Sequence, residues 1–180
     1  MLIERDRSFL LIVDVQERLL PAMTAPEPML RNAGILLQAA RRLGVPILAS
    51  EQYPKGLGRT VPELVPLIPT GAVMEKVSFS CLADEAQAER IASLGRKQAI
   101  VCGIEAHVCV LQTALALANK GYEVFVVRDA VTSRTPLSVE TALARFQKAG
   151  VEVVTTEMVA FEWLARAGTD EFKDVSRLIR

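Results

Sequence analysis

Short, uninterrupted apolar runs alternate with longer stretches of helical periodicity from one end of the chain to the other. Ser8 to Val13 (SFLLIV) is apolar nearly throughout and stops at Asp14, the pattern of a strand buried on both faces of a parallel sheet. After the prolines between Pro21 and Pro28, Leu30, Ile35, Leu36, Leu37, Ala40 and Leu43 recur at helical spacing up to Gly44. Arg31, Gln38, Arg41 and Arg42 lie largely off that stripe, which predicts an amphipathic helix. Pro46 to Ser50 (PILAS) predicts a second strand leading into a Pro/Gly-marked loop, Glu51 to Gly58 (EQYPKGLG). Val61 to Pro69 carries three prolines and predicts irregular chain or at most one helical turn. Ala72 to Met74 predicts a third strand ending near Lys76, Ser78 to Leu82 a polar-facing loop, and Ala83 to Leu94 a helix stopped by Gly95. Ile100 to Cys102 reads as a fourth strand that turns at Gly103, and the next helix-length segment meets no proline or glycine before Lys120-Gly121. Glu123 to Val127 predicts a fifth strand running out at Asp129, Pro136 to Ala149 a helix, and Val151 to Val154 a sixth strand. Thr156 to Ala167 and Glu171 to Ile179 predict the closing helices.

Six strands alternating with helices, without repeats or a compositional break, predict one α/β domain over residues 1–180, an open parallel sheet covered by helices on both faces. Ligands of such sheets bind outside the carboxyl ends of the strands. Asp14, Glu51, Lys76, Gly103 to Cys109 and Asp129 all fall at those ends, so residues far apart in sequence are expected to meet there.

The 180-residue length suits a single core. A hydrophobic fraction of 51% is high for a lone chain and predicts that further subunits cover some apolar surface, hence a homo-oligomer. Lys+Arg and Asp+Glu stand at 21 each, a balance that gives no field for nucleic acid or an anionic membrane. Three cysteines make no disulfide framework and predict a reducing, cytoplasmic setting. The run Phe9 to Val13 is too short for a signal-peptide core. The window 99–118 approaches membrane-span length but holds Gly103, Glu105, His107 and Gln112, so it reads as a buried strand and helix.

Chemistry concentrates at Cys109, within about the first turn of the helix that follows Gly103. Unpaired N–H groups and the helix dipole favour an anion there and bias a thiol towards thiolate. A cysteine nucleophile also needs a base, a cation and donors for an oxyanion. Asp14 can be the base, Lys76 the cation, and the helix start the donors; equally, an aspartate at a strand end can be a cap and a flanking lysine a solvated charge. Cys102 and Cys81 read as small buried hydrophobes.

LLIVDVQ (Leu10 to Gln16), MEKVSFS (Met74 to Ser80) and VCGIEAHVCVLQTALALANKGYEVFVVRDAVTSR (Val101 to Arg134) resemble the isochorismatase-like cysteine hydrolases over essentially the entire chain. The likeness is to the isochorismatase-domain-containing subgroup, in which a loop like EQYPKGLG also occurs. It implies a three-layer α/β/α fold with a Rossmann-like parallel sheet of order 3-2-1-4-5-6, and an Asp–Lys–Cys triad at Asp14, Lys76 and Cys109. It also implies a non-proline cis peptide at Ile104–Glu105 that aims the Glu105 N–H inward, so that the N–H groups of Glu105 and Cys109 form the oxyanion hole.

One departure narrows the expectation. Nicotinamidases of this superfamily bind a metal through an Asp/His/His set, whereas the single histidine of this chain is His107, inside the turn. Neither a metal nor another cofactor is therefore expected. The implied activity is metal-independent hydrolysis of a small amide, ester or related C–N or C–O bond through a thioester. Gln16, Glu51, Gln52, Tyr53, Ser78, Phe79 and His107 are the candidate substrate contacts, since their segments flank the strand ends. Two rival readings stand beside it: isochorismatase-type vinyl-ether cleavage that uses Asp14 as an acid without a covalent step, and a redox-responsive or scaffolding oligomer without turnover. A dinucleotide site is disfavoured, because no strand leads into a G-x-G-x-x-G turn.

Overall fold

The computed structural model describes residues 1–179, in which six strands form one all-parallel sheet of order β3-β2-β1-β4-β5-β6. The strands are β1 (Ser8–Val13), β2 (Ile47–Gln52), β3 (Val73–Lys76), β4 (Gln98–Ile104), β5 (Glu123–Thr132) and β6 (Glu152–Val154). Both the fold class and the strand order match the expectation. Every residue of β1 and β4 is buried, as their unbroken apolar runs require when helices cover both faces. α1 (Pro26–Leu43), α6 (Thr156–Leu164) and α7 (Asp170–Leu178) pack against one another, and α4 (Leu111–Asn119) packs with α5 (Pro136–Lys148). Trp163, Phe9, Phe125 and Phe146 are the largest side chains of the common core. Among the described residues no helix is long and apolar enough to cross a membrane.

Several boundaries differ from the sequence reading, each for a local reason. α1 begins at Pro26, four residues before the first apolar position, because a proline in the first helical turn forfeits no hydrogen bond. β2 continues through Glu51 and Gln52, which pair with Glu75 and Lys76 of β3. Only the remainder of the expected loop leaves the sheet, as the single helical turn α2 (Pro54–Leu57). α3 spans Glu85–Ala92, its N-terminus capped by the Asp84 side chain on the Gln87 N–H. β5 runs five residues beyond Val127. Its register against β4 shifts between Val101↔Val126 and Gly103↔Val131, so the polar pair Arg128-Asp129 is lodged within a strand. Asp129 accepts from the N–H and hydroxyl of Thr156 at 2.8 and 3.0 Å, and so holds the start of α6 rather than facing the other strand ends.

Gly103 sets the distance between β1 and the turn after β4. It pairs with Val13 and has φ +120°, and a Cβ there would lie 2.1 Å from the Val13 carbonyl oxygen. No side chain fits without parting the two central strands. Gly103→Ala is expected to cost roughly 3 kcal/mol, read as a lower urea midpoint at unchanged slope; an unaltered midpoint would show that the strands can separate freely.

Candidate functional site

Asp14 leaves β1 in the left-handed region, φ +52°, and its side chain is fully buried. Each carboxylate oxygen has its own donor. The Lys76 ammonium, arriving at the end of β3, lies 2.6 Å from Oδ2, and the Ser50 hydroxyl on β2 lies 2.7 Å from Oδ1. The backbone N–H of Asp14 donates to the Ser50 carbonyl at 3.1 Å. Lys76 also donates to Gln52 Oε1 at 2.7 Å and is only 4% exposed. A buried ammonium is tolerated where an opposite charge and further hydrogen bonds replace its hydration.

Cys109 approaches the same carboxylate from the other side of β1. After Gly103 the Ile104–Glu105 peptide bond is cis. The chain then forms a π-helical turn, Ala106–Val110, which runs straight into α4. The N–H groups of Val108 and Val110 both return to the Glu105 carbonyl, at 3.0 and 3.2 Å. Cys109 is 6% exposed, and its thiol lies close enough to the Asp14 carboxylate for the two to interact. Burial pushes this thiol well above its usual range, the Asp14 charge adds to that, and Lys76 opposes it without cancelling it. Desolvation next to a carboxylate favours the protonated thiol and so works against the thiolate bias expected of a helix start.

The other candidates divide into two groups. Gln16, Glu51 and Gln52 are buried and committed to the protein itself. Gln16 donates to the carbonyls of Gln52 and Gly58 at 3.0 and 2.7 Å and accepts from the Gln52 N–H at 2.7 Å. Glu51 accepts from the N–H and hydroxyl of Thr60 and from Arg59. Although burial works against its charge, the Thr60 and Arg59 donors hold the Glu51 carboxyl below the usual carboxylate range. These residues tie the Tyr53 to Thr60 segment to β1 and β2. Tyr53 and Ser78, in contrast, share with Lys76 and Asp84 the lining of a cavity of about 360 Å³. Tyr53 is half exposed, its ring lying over Gly56, where no Cβ would fit. Phe79 is also half exposed and stands outside that lining. His107 is turned towards α5: its Nδ1 lies 3.0 Å from the Ser133 hydroxyl, and its ring borders a separate cavity with Leu137 and Arg145.

Two polar contributors escaped the sequence reading. Ser50 sits inside an otherwise apolar strand, and its signal was that a fully buried hydroxyl must find a partner. Cys81, read as a small hydrophobe, is fully buried beside the site. Its N–H donates to the Thr113 hydroxyl at 3.1 Å, and its thiol sits near the hydroxyls of Ser50 and Thr113. Cys102 lies in the core of β4 as expected, and all three cysteines are free. Among the described residues no group of three or more His, Cys, Asp or Glu is placed to hold a metal ion.

A six-stranded parallel sheet in this order, with buried polar side chains gathered at its carboxyl edge, defines a Rossmann-like three-layer α/β protein with its site where the class places one. Residues 8–158 match the isochorismatase domain family model, and the chain belongs to the isochorismatase family, with its hydrolase fold. It is 40% identical over 176 residues to isochorismatase domain-containing protein 2 of Danio rerio, covering 96% of this chain and 86% of that protein. Identity to isochorismatase domain-containing protein 1 of Danio rerio is 38% over 167 residues, 93% of this chain but 59% of the relative, so the chain spans less than two thirds of that protein. Among solved structures, a MAR1 ribonuclease from Caenorhabditis elegans superposes with a TM-score of 0.93 at 33% identity, covering 99% of this chain and 92% of the other.

Proposed function

We propose that the protein is a metal-independent cysteine hydrolase acting on a small amide, ester or related C–N or C–O bond, with Asp14, Lys76 and Cys109 as its triad. The observation that carries this reading is one fully buried carboxylate bound to an ammonium at 2.6 Å with a buried thiol beside it. Because burial favours the protonated thiol, the nucleophile forms as Asp14 takes its proton, with Lys76 compensating the negative charge as it passes from carboxylate to sulfur. The sulfur attacks the carbonyl carbon, and the N–H groups of Glu105 and Cys109 receive the resulting oxyanion. Collapse breaks the bond to the leaving amine or alkoxide, which takes the proton back from Asp14. Asp14 then deprotonates a water that hydrolyses the thioester, and the proton returns to the departing sulfur. Tyr53 and Ser78 are the substrate contacts this reading favours, at the cavity beside Lys76.

The reading extends to the setting of the enzyme. Three free, buried cysteines favour a reducing cytoplasm. The exposed apolar side chains of Val77, Phe79 and Leu137 favour a homo-oligomer. An RNA substrate, which the name of the nematode neighbour brings to mind, finds no support in a chain of zero formal net charge.

The direct test is intact-mass screening of the protein against small amides, esters and carbamates, with an adduct on Cys109 expected from at least one. Reversible sulfenylation of Cys109 with no adduct and no hydrolysis across the panel would favour the redox reading instead. Chelators are expected to leave the rate within about twofold, since the only imidazole is engaged with Ser133. Loss of activity on chelation, with recovery on adding a metal, would contradict this.

A further inference from the structure

β2 lies between the strand that delivers Asp14 and the strand that delivers Lys76. Ser50 and Gln52 are two residues apart on it and therefore project from the same face. Each takes hold of one charged partner. Ser50 engages Asp14 twice, through its carbonyl on the Asp14 N–H at 3.1 Å and its hydroxyl on Oδ1 at 2.7 Å. Gln52 accepts from Lys76 at 2.7 Å, and its own amide is fixed by donation to the Val77 carbonyl. Its backbone is clamped on both polar groups by the Gln16 side chain.

We propose that Ser50 and Gln52 are positioning residues: β2 holds the base and the cation at one fixed spacing, with the carboxylate turned towards Cys109. The Ser50 hydroxyl has a single proton, and that proton is committed to Asp14. Cys81 is fully buried beside that hydroxyl. Cys81 is in turn bonded through its N–H to Thr113, one helical turn beyond Cys109. The frame thus closes on the helix that carries the nucleophile. Without the Ser50 hydroxyl only the ammonium restrains the carboxylate. Both oxygens can then turn to Lys76 and away from the sulfur, and proton transfer loses its alignment.

This inference rests on the triad proposed above, and the test separates the two. Iodoacetamide at neutral pH serves as the probe, with Cys109 labelling followed by intact mass and peptide mapping, and with unfolding temperature recorded for every variant. Ser50→Ala is expected to label about tenfold more slowly than the parent, with Ser50→Thr recovering most of that loss. Gln52→Met is expected to slow labelling to a similar degree while remaining folded, which keeps the test decisive should Ser50→Ala not fold. A merely structural role predicts the opposite: a lower unfolding temperature with labelling unchanged or faster, as local opening exposes the thiol. If Cys109 of the parent resists labelling, the hydrolase reading falls. If it labels equally fast in the parent and in folded Ser50→Ala and Gln52→Met, only the positioning role is overturned.

Discussion

Cys109→Ala is expected to abolish every covalent adduct that a small amide, ester or carbamate leaves on the protein. The other two thiols offer no substitute. Cys81 and Cys102 are fully buried, and burial pushes both thiols upward, with the charges of Asp14 and Asp129 respectively adding to the effect. Both are more deeply buried than Cys109. Turnover of an acyl substrate should fall by at least about a thousandfold, the usual scale for removing a nucleophile that works with its base as a unit. A normal adduct on the alanine variant, seen by intact mass, would refute covalent catalysis at this position. Asp14→Asn distinguishes the remaining chemistry. If it is inactive while Cys109→Ala still turns over, protonation by the aspartate alone, as in vinyl-ether cleavage, is the operative step.

The second large effect is on stability. Lys76→Met keeps the length and apolar stem of the side chain but removes the charge opposite Asp14, whose side chain is 0% exposed while that of Lys76 is 1% exposed. A carboxylate left in that position has the Ser50 hydroxyl as its remaining side-chain hydrogen-bond partner. Breaking one side of a buried ion pair costs about 3–5 kcal/mol, so the urea midpoint should fall sharply at unchanged slope. Asp14→Asn combined with Lys76→Met should recover part of the loss, because the stranded charge disappears with its partner. Equal stability of Lys76→Met and the parent would mean that Asp14 is not held as an anion in the fold, and the proton-transfer scheme would need a different base.

The sheet could be read from the sequence because its strands are continuous apolar runs, and polar residues marked where most of them end. Asp14 and Lys76 were visible as charges directly after such runs, and Cys109 as a thiol at the beginning of a helix. Side-chain commitments were harder to see. Gln16 and Gln52 looked like polar residues facing a ligand, yet they bind each other and neighbouring carbonyls, a pairing that depends on the spatial adjacency of β1 and β2. Ser50 and Cys81 were hidden for the converse reason: small, weakly polar residues within apolar stretches look like filler until their partners are known. The extension of β5 was obscured by Arg128-Asp129, which the register shift accommodates and which no alternation pattern announces. Position on a helix can be read from sequence, whereas the depth of burial that works against a thiolate at Cys109 cannot.

The close approach of Gly103 to Val13 has a consequence for how the chemistry is divided along the polypeptide. Everything before Gly95 carries the proton acceptor and the ammonium, and everything after it carries the sulfur. The two portions meet along β1 and β4, with Val13 facing Gly103 in that pairing. Each half alone is chemically mute. Turnover at that one sulfur atom therefore reports whether the seam has closed, whereas simple exposure of the thiol does not.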